Sequence, residues 1–188
     1  PSLSDAFIRG AMFQGADVVD YGLMGTDSLY FAVAKDHFDG GAEITASHNP
    51  KDYNGMKFVR EQSKPISGDT GLFDIRDQAE KPLPEPLAQR GSYQALDTAD
   101  AYIQHLLSYV ELSTLKPLKL VVNAGNGGAG AVIDRITAHL PFEFIRLHHE
   151  PDGHFPNGVP NPLLEENRQV TIDAVKEHQA DFGIAWDG

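Results

Sequence analysis

Apolar positions recur at helical spacing near the start of the chain, where Phe7, Ala11 and Gly15 share one face of a helix expected over residues 4–15. Asp17-Val18-Val19-Asp20-Tyr21 then reads as a short strand, closed by the turn residues Gly22 and Gly25. Thr26 or Asp27 caps a second helix running to about Lys35, Gly40-Gly41 stops it, and Ala42-Glu43-Ile44-Thr45 forms the next strand. Ser47 falls on the loop that leaves this strand. Asn54-Gly55 is a strong turn signal, and Met56-Lys57-Phe58-Val59 beyond it returns as a strand that folds Lys57 back toward Ser47.

Lys81-Pro82-Leu83-Pro84-Glu85-Pro86 cannot lie inside a helix or a central strand, because each proline lacks an N–H donor and fixes φ. Past it, Ile103, Leu106, Leu107 and Val110 line a helical face, and Leu118-Lys119-Leu120-Val121-Val122 is a buried-type strand ending in a glycine-rich turn. A helix to about His139, a strand over 142–147, a helix over 168–179 and a strand over 181–186 complete the pattern. The segment 151–162 carries four prolines and two glycines and reads as an ordered loop. The alternation predicts the α/β class: two α/β sandwich-like domains with mainly parallel mixed sheets, over residues 1–81 and 97–188, joined by a linker over 82–96. The chain opens on Pro1 and stops at Asp187-Gly188 directly after an apolar run, so both domains are expected to be cut short. Strand edges left open in this way would favour self-association.

Composition is that of an ordinary globular protein, 41% hydrophobic and 22% charged. With 27 acidic against 15 basic side chains the net charge is -12, which argues against nucleic acid or an anionic membrane surface as partner. An anionic substrate must then be held by local cations, backbone N–H groups or a metal. There is no cysteine, so disulfides and thiolate metal sites are excluded, in keeping with a reducing cytoplasm. No apolar run approaches the ~18 residues of a membrane span.

Ser47 is followed by His48 and Asn49, with Lys57 ten residues on. A serine hydroxyl can carry a phosphoryl group, which brings nearly two negative charges and needs nearby cations. A lysine there can offset the charge or act as a general acid or base. Taken alone, residues 45–55 also fit a plain polar turn. The whole string is more specific: Gly41-Ala42-Glu43-Ile44-Thr45-Ala46-Ser47-His48-Asn49-Pro50, followed by Asp52-Tyr53-Asn54-Gly55-Met56-Lys57. It resembles the active-site loop of the α-D-phosphohexomutases, in their bacterial phosphomannomutase/phosphoglucomutase branch. Gly183-Ile184-Ala185-Trp186-Asp187-Gly188 is similar to the strand entering that family's metal loop, and the likeness extends over nearly all 188 residues.

The resemblance implies that the chain covers the later part of the first of four domains and most of the second. It implies that Ser47 is the phosphorylated catalytic residue, that Lys57 handles the proton, and that His48 and Asn49 shape the loop, His48 with the catalytic and Asn49 with the substrate-binding residues. Ser47 and Asp187 are implied ligands of Mg²⁺, with a sugar phosphate as substrate and hexose 1,6-bisphosphate as intermediate and activator.

Other readings compete. Gly125-Asn126-Gly127-Gly128-Ala129-Gly130 matches the G-x-G-x-x-G pattern of dinucleotide-binding folds, although Glu143 is poorly placed as a ribose acid. A nucleotide-binding oxidoreductase module and an inactive folded piece of the mutase are therefore the alternatives. His148, His149, Glu150 and His154 suggest a transition-metal site, but adjacent strand side chains point to opposite faces. Arg60, Arg76 and Arg90 read as solvated surface charges.

Overall fold

The computed structural model describes every residue except Pro1, His48, Pro50, Lys51, Thr98 and Gly188. The chain divides into two units, Pro1–Thr45 with Gly55–Thr98, and Ala46–Asn54 with Ala99–Gly188.

The first unit contains helix α1 (Ser2–Phe13), strand β1 (Val18–Asp20), helix α2 (Thr26–Lys35) and strands β2 (Gly40–Ile44) and β3 (Met56–Arg60). Helix α3 (Leu72–Ala79) and strand β4 (Tyr93–Ala95) follow. The apolar face of α2 places Leu29, Ala32 and Val33 in the core, where Leu29 and Val33 pack with Val59 of β3. Close approach of helix and hairpin depends on Gly41. A Cβ there would lie 2.7 Å from Val33 Cγ2 and 2.9 Å from Leu29 Cδ1. Asp27 in the first turn of α2 and Lys35 in the last both suit the helix dipole.

Strands β2 and β3 run antiparallel, with Gly41 opposite Val59 and Glu43 opposite Lys57. Asn54-Gly55 does not form a tight two-residue hairpin turn. Instead the Thr45 N–H donates to the Gly55 carbonyl at 3.0 Å, which closes the base of a longer connection. The strand pair therefore presents the residues between 45 and 55 as one loop.

The proline-bearing stretch 82–96, expected as a linker, carries β4 near its end. This strand pairs parallel with β1, Val18 opposite Tyr93. Its three residues show no alternation, and its strand state comes from a partner far away in the chain. Asp17 Oδ1 accepts from the Ser92 N–H at 2.8 Å and the Ser92 hydroxyl at 2.6 Å, fixing where the pairing starts. Gly91 lets the two segments meet, since a Cβ on it would lie 1.8 Å from the Ala16 carbonyl oxygen. Gly91→Ala is expected to cost about 3 kcal/mol, read as a lowered urea midpoint. A midpoint unchanged from the parent would show that β1 and β4 do not need this approach. Helix α3 was not foreseen either; it is short, and none of its residues is buried.

The second unit holds helix α4 (Ala99–Leu107), strand β5 (Lys119–Asn123), helix α5 (Ala129–Thr137), strand β6 (Glu143–Leu147), helix α6 (Gln169–Glu177) and strand β7 (Phe182–Ala185). The sheet order is β6-β5-β7 and both pairings are parallel. The central strand is covered on both faces, which accounts for its unbroken apolar run: Leu120, Val121 and Val122 are all buried. Leu120, Val122, Ala124 and Ile133 form the core, with Leu118, Phe142, Phe144 and Trp186 packed around it. The carboxyl ends of β5 and β7 lie side by side, where the Trp186 N–H donates to the Asn123 carbonyl at 3.0 Å. That edge is where open parallel sheets place their ligands.

Among the described residues, no helix is long and apolar enough to cross a membrane.

Candidate active site

Ser47 occupies the loop between β2 and β3 and is solvent-exposed. Its φ is 53°, in the left-handed region that a residue with a Cβ adopts at a cost of about 1–3 kcal/mol. The surrounding turn maintains it. Both the Asn49 N–H, at 3.0 Å, and the Asn49 side-chain amide, at 2.8 Å, donate to the Ala46 carbonyl. Asn49 therefore braces the turn that spans Ser47. His48, expected with the catalytic residues, lies outside the described residues.

Lys57 lies on β3, in the other unit, exposed. Its ammonium donates to Thr26 Oγ1 at 2.9 Å, and the Thr26 hydroxyl donates to Glu43 Oε2 at 2.7 Å. Sequence spacing did not point to Thr26 as more than a helix cap, nor to Glu43 at all. The structure gathers three side chains from α2, β2 and β3 into one hydrogen-bonded row. Thr26 and Glu43 are both partly buried.

Asp187 follows β7 as an exposed carboxylate in the second unit. The carboxyl ends of β5 and β7 border a cavity of about 290 Å³ whose lining includes Asn123, His148, Asn157, Glu166 and Trp186. Asn123 is buried, donates to Thr171 Oγ1 at 3.0 Å and accepts from the Gly125 N–H at 2.9 Å. Asn126, in the left-handed region with φ 58°, ties three segments together. Its N–H donates to the His148 carbonyl at 2.7 Å and its side-chain amide to the Glu150 carbonyl at 2.8 Å, while its Oδ1 accepts from Asn157 at 2.9 Å. The loop over 151–162 is thereby ordered against the turn after β5.

This geometry gives the dinucleotide reading no support. The N–H groups of Gly125, Asn126 and Gly127, which a pyrophosphate would need, donate instead to Asn123 Oδ1, the His148 carbonyl and the Ala124 carbonyl. The glycines are explained by packing: a Cβ on Gly125 would lie 2.3 Å from Pro160 Cβ, and one on Gly130 would lie 2.3 Å from the His149 carbonyl oxygen.

The histidines do not form a metal site either. His149 Nε2 donates to Asp134 Oδ2 at 2.9 Å, His154 Nδ1 pairs with Asp152 at 2.8 Å, and no group of three metal-ligating side chains occurs among the described residues. The hydrogen bond from His149, its charge, and then Arg146 hold the Asp134 carboxyl below its ordinary range. A carboxyl so depressed adds stability above the ordinary carboxylate range and loses that contribution as pH falls through its own lower value. Asp134→Asn should therefore lower the Tm at neutral pH, the gap to the parent closing below about pH 4. A gap that persists undiminished in acid would rule out the charge as its cause.

Two sequence models of one family match the chain. Phosphoglucomutase/phosphomannomutase, alpha/beta/alpha domain I, matches residues 1–84, and domain II of the same family matches residues 100–188. The chain belongs to the phosphoglucomutase/phosphomannomutase family. Among relatives, the chain is 57% identical over 188 residues to a protein of Xanthomonas campestris pv. campestris (strain B100) named for phosphohexose mutases. It is 56% identical over 195 residues to a phosphomannomutase of Escherichia coli. In both comparisons all of this chain is covered, but only 42% of the first relative and 43% of the second. A crystal structure of a phosphoglucomutase/phosphomannomutase family protein from Burkholderia thailandensis superposes with a TM-score of 0.83 at 36% identity, again over 42% of that chain. The chain thus spans less than half the length of these family members.

Proposed function

We propose that this chain carries the phosphoserine loop of a phosphohexomutase that interconverts hexose 1-phosphate and hexose 6-phosphate, with mannose, glucose or both as the sugar. The observation that carries this reading is Ser47, held in a left-handed turn by the two hydrogen bonds from Asn49 at the head of a two-stranded hairpin. Such a turn presents Ser47 to solvent, which suits a group that must both give and receive phosphate.

In the proposed cycle a free hydroxyl of the hexose monophosphate attacks phosphorus on phosphorylated Ser47. The new P–O bond forms as the bond to Ser47 Oγ breaks, giving hexose 1,6-bisphosphate and an unmodified serine. The Lys57 ammonium gives a proton to Ser47 Oγ as that bond breaks and, as the amine so formed, takes the proton of the attacking hydroxyl. The bisphosphate, turned over, then gives its other phosphoryl group back to Ser47 in the reverse of the same step. Asn49 and His48 shape the loop. Ser47 Oγ and the Asp187 carboxylate are hard oxygen donors of the kind Mg²⁺ prefers, and they would help to hold it. The ion, when bound, offsets negative charge on the transferring phosphoryl group.

Phosphorus NMR of hexose 1-phosphate incubated with the protein, Mg²⁺ and catalytic hexose 1,6-bisphosphate tests the reading. Conversion to hexose 6-phosphate supports it, and release of inorganic phosphate as the sole product would replace a mutase by a phosphatase.

A further inference from the structure

Lys57 is useful in proton transfer only if its ammonium group is held in one place, and a lysine exposed on a strand has a long, freely rotating stem. The row it forms with Thr26 and Glu43 has a forced polarity. An ammonium only donates and a carboxylate only accepts, so the single Thr26 hydroxyl proton goes to Glu43, at 2.7 Å, and a lone pair faces Lys57, at 2.9 Å. Thr26 also opens α2, a ten-residue helix whose amino end carries partial positive charge. That end disfavours an ammonium and favours a carboxylate. Glu43, the register partner of Lys57 across the β2–β3 ladder, supplies the negative charge that lets a cation settle there.

We propose that Thr26 and Glu43 are positioning residues for Lys57: the hydroxyl fixes where the ammonium sits, and the carboxylate fixes the hydroxyl and balances the helix end. The inference rests on the proton-handling role given to Lys57 above. Neither residue touches the reacting atoms. Their loss spreads Lys57 over several rotamers and lowers the fraction of molecules ready for transfer, without altering how the sugar phosphate binds.

Three variants separate this role from simple packing. Thr26→Val keeps the shape and removes the hydroxyl, Thr26→Ser keeps the hydroxyl, and Glu43→Gln keeps the shape and removes the charge. In the mutase assay, Thr26→Val and Glu43→Gln are expected to lower kcat by about tenfold to hundredfold with KM within about threefold, while Thr26→Ser stays within about threefold of the parent. A second readout needs no turnover. The Lys57 ammonium protons, protected from exchange by Thr26, should give a nitrogen–proton NMR signal in the parent and in Thr26→Ser that is lost in Thr26→Val.

Parent-like kcat and an unchanged Lys57 signal in Thr26→Val would overturn the proposal. So would equal losses in the Val and Ser variants, which mark packing at the helix start. If Thr26→Val does not fold, Glu43→Gln carries the same two measurements. A parent without mutase turnover favours the inactive-piece alternative, and the NMR comparison still decides whether Thr26 holds Lys57.

Discussion

Ser47→Ala is expected to reduce mutase turnover by about 10⁵-fold or more, because it removes the atom that carries the phosphoryl group and no neighbouring hydroxyl sits in the same turn. The loop itself should survive. Its base is closed by the Thr45–Gly55 hydrogen bond and its turn by Asn49 on the Ala46 carbonyl, none of which uses the serine side chain. Alanine at φ 53° meets the same backbone strain as serine, so the variant's Tm should stay near that of the parent. Loss of activity with retained stability assigns the effect to chemistry. A variant that turns over within tenfold of the parent would remove Ser47 from the mechanism.

Lys57→Met should slow phosphoryl transfer by about 10²–10⁴-fold, the range that a placed general acid or base contributes. Methionine keeps an unbranched apolar stem on β3 but cannot donate to Thr26, so the hydroxyl keeps only its bond to Glu43. The serine should still accept phosphate from hexose 1,6-bisphosphate, more slowly. Single-turnover kinetics with mass detection of the phosphorylated protein separates the two expectations. An unchanged transfer rate would remove the proton-handling role, and complete loss of phosphorylation at long times would mean that Lys57 is needed to hold the ligand.

What the sequence disclosed depended on how local the cause was. The β5 strand was legible because burial on both faces demands an unbroken apolar run, and Leu120 to Val122 supplies one. Helix α2 was legible because its apolar face is written within a few residues, although it ends at Lys35 and Gly40-Gly41, expected to stop it, instead open β2. The Ser47 loop was legible as a long specific string, although its left-handed serine was not. Strand β4 escaped notice because Tyr93, Gln94 and Ala95 become a strand only through pairing with β1, some seventy residues earlier. The Thr26–Lys57 bond spans 31 positions, and nothing in either residue's neighbours marks the other. The register that sets Glu43 opposite Lys57 could not be counted from Asn54-Gly55, because that pair closes a wide loop rather than a tight turn. The glycine run 125–130 misled in the opposite direction: a literal phosphate-loop pattern serves close packing against Pro160 and the His149 carbonyl.

Mass analysis of the protein after incubation with hexose 1,6-bisphosphate tests the central assignment most directly. One added phosphoryl group, mapped by fragmentation to Ser47 and discharged by hexose monophosphate, is the expected result. A protein that gains no phosphoryl group, or gains one at another residue while Ser47 stays unmodified, would contradict it.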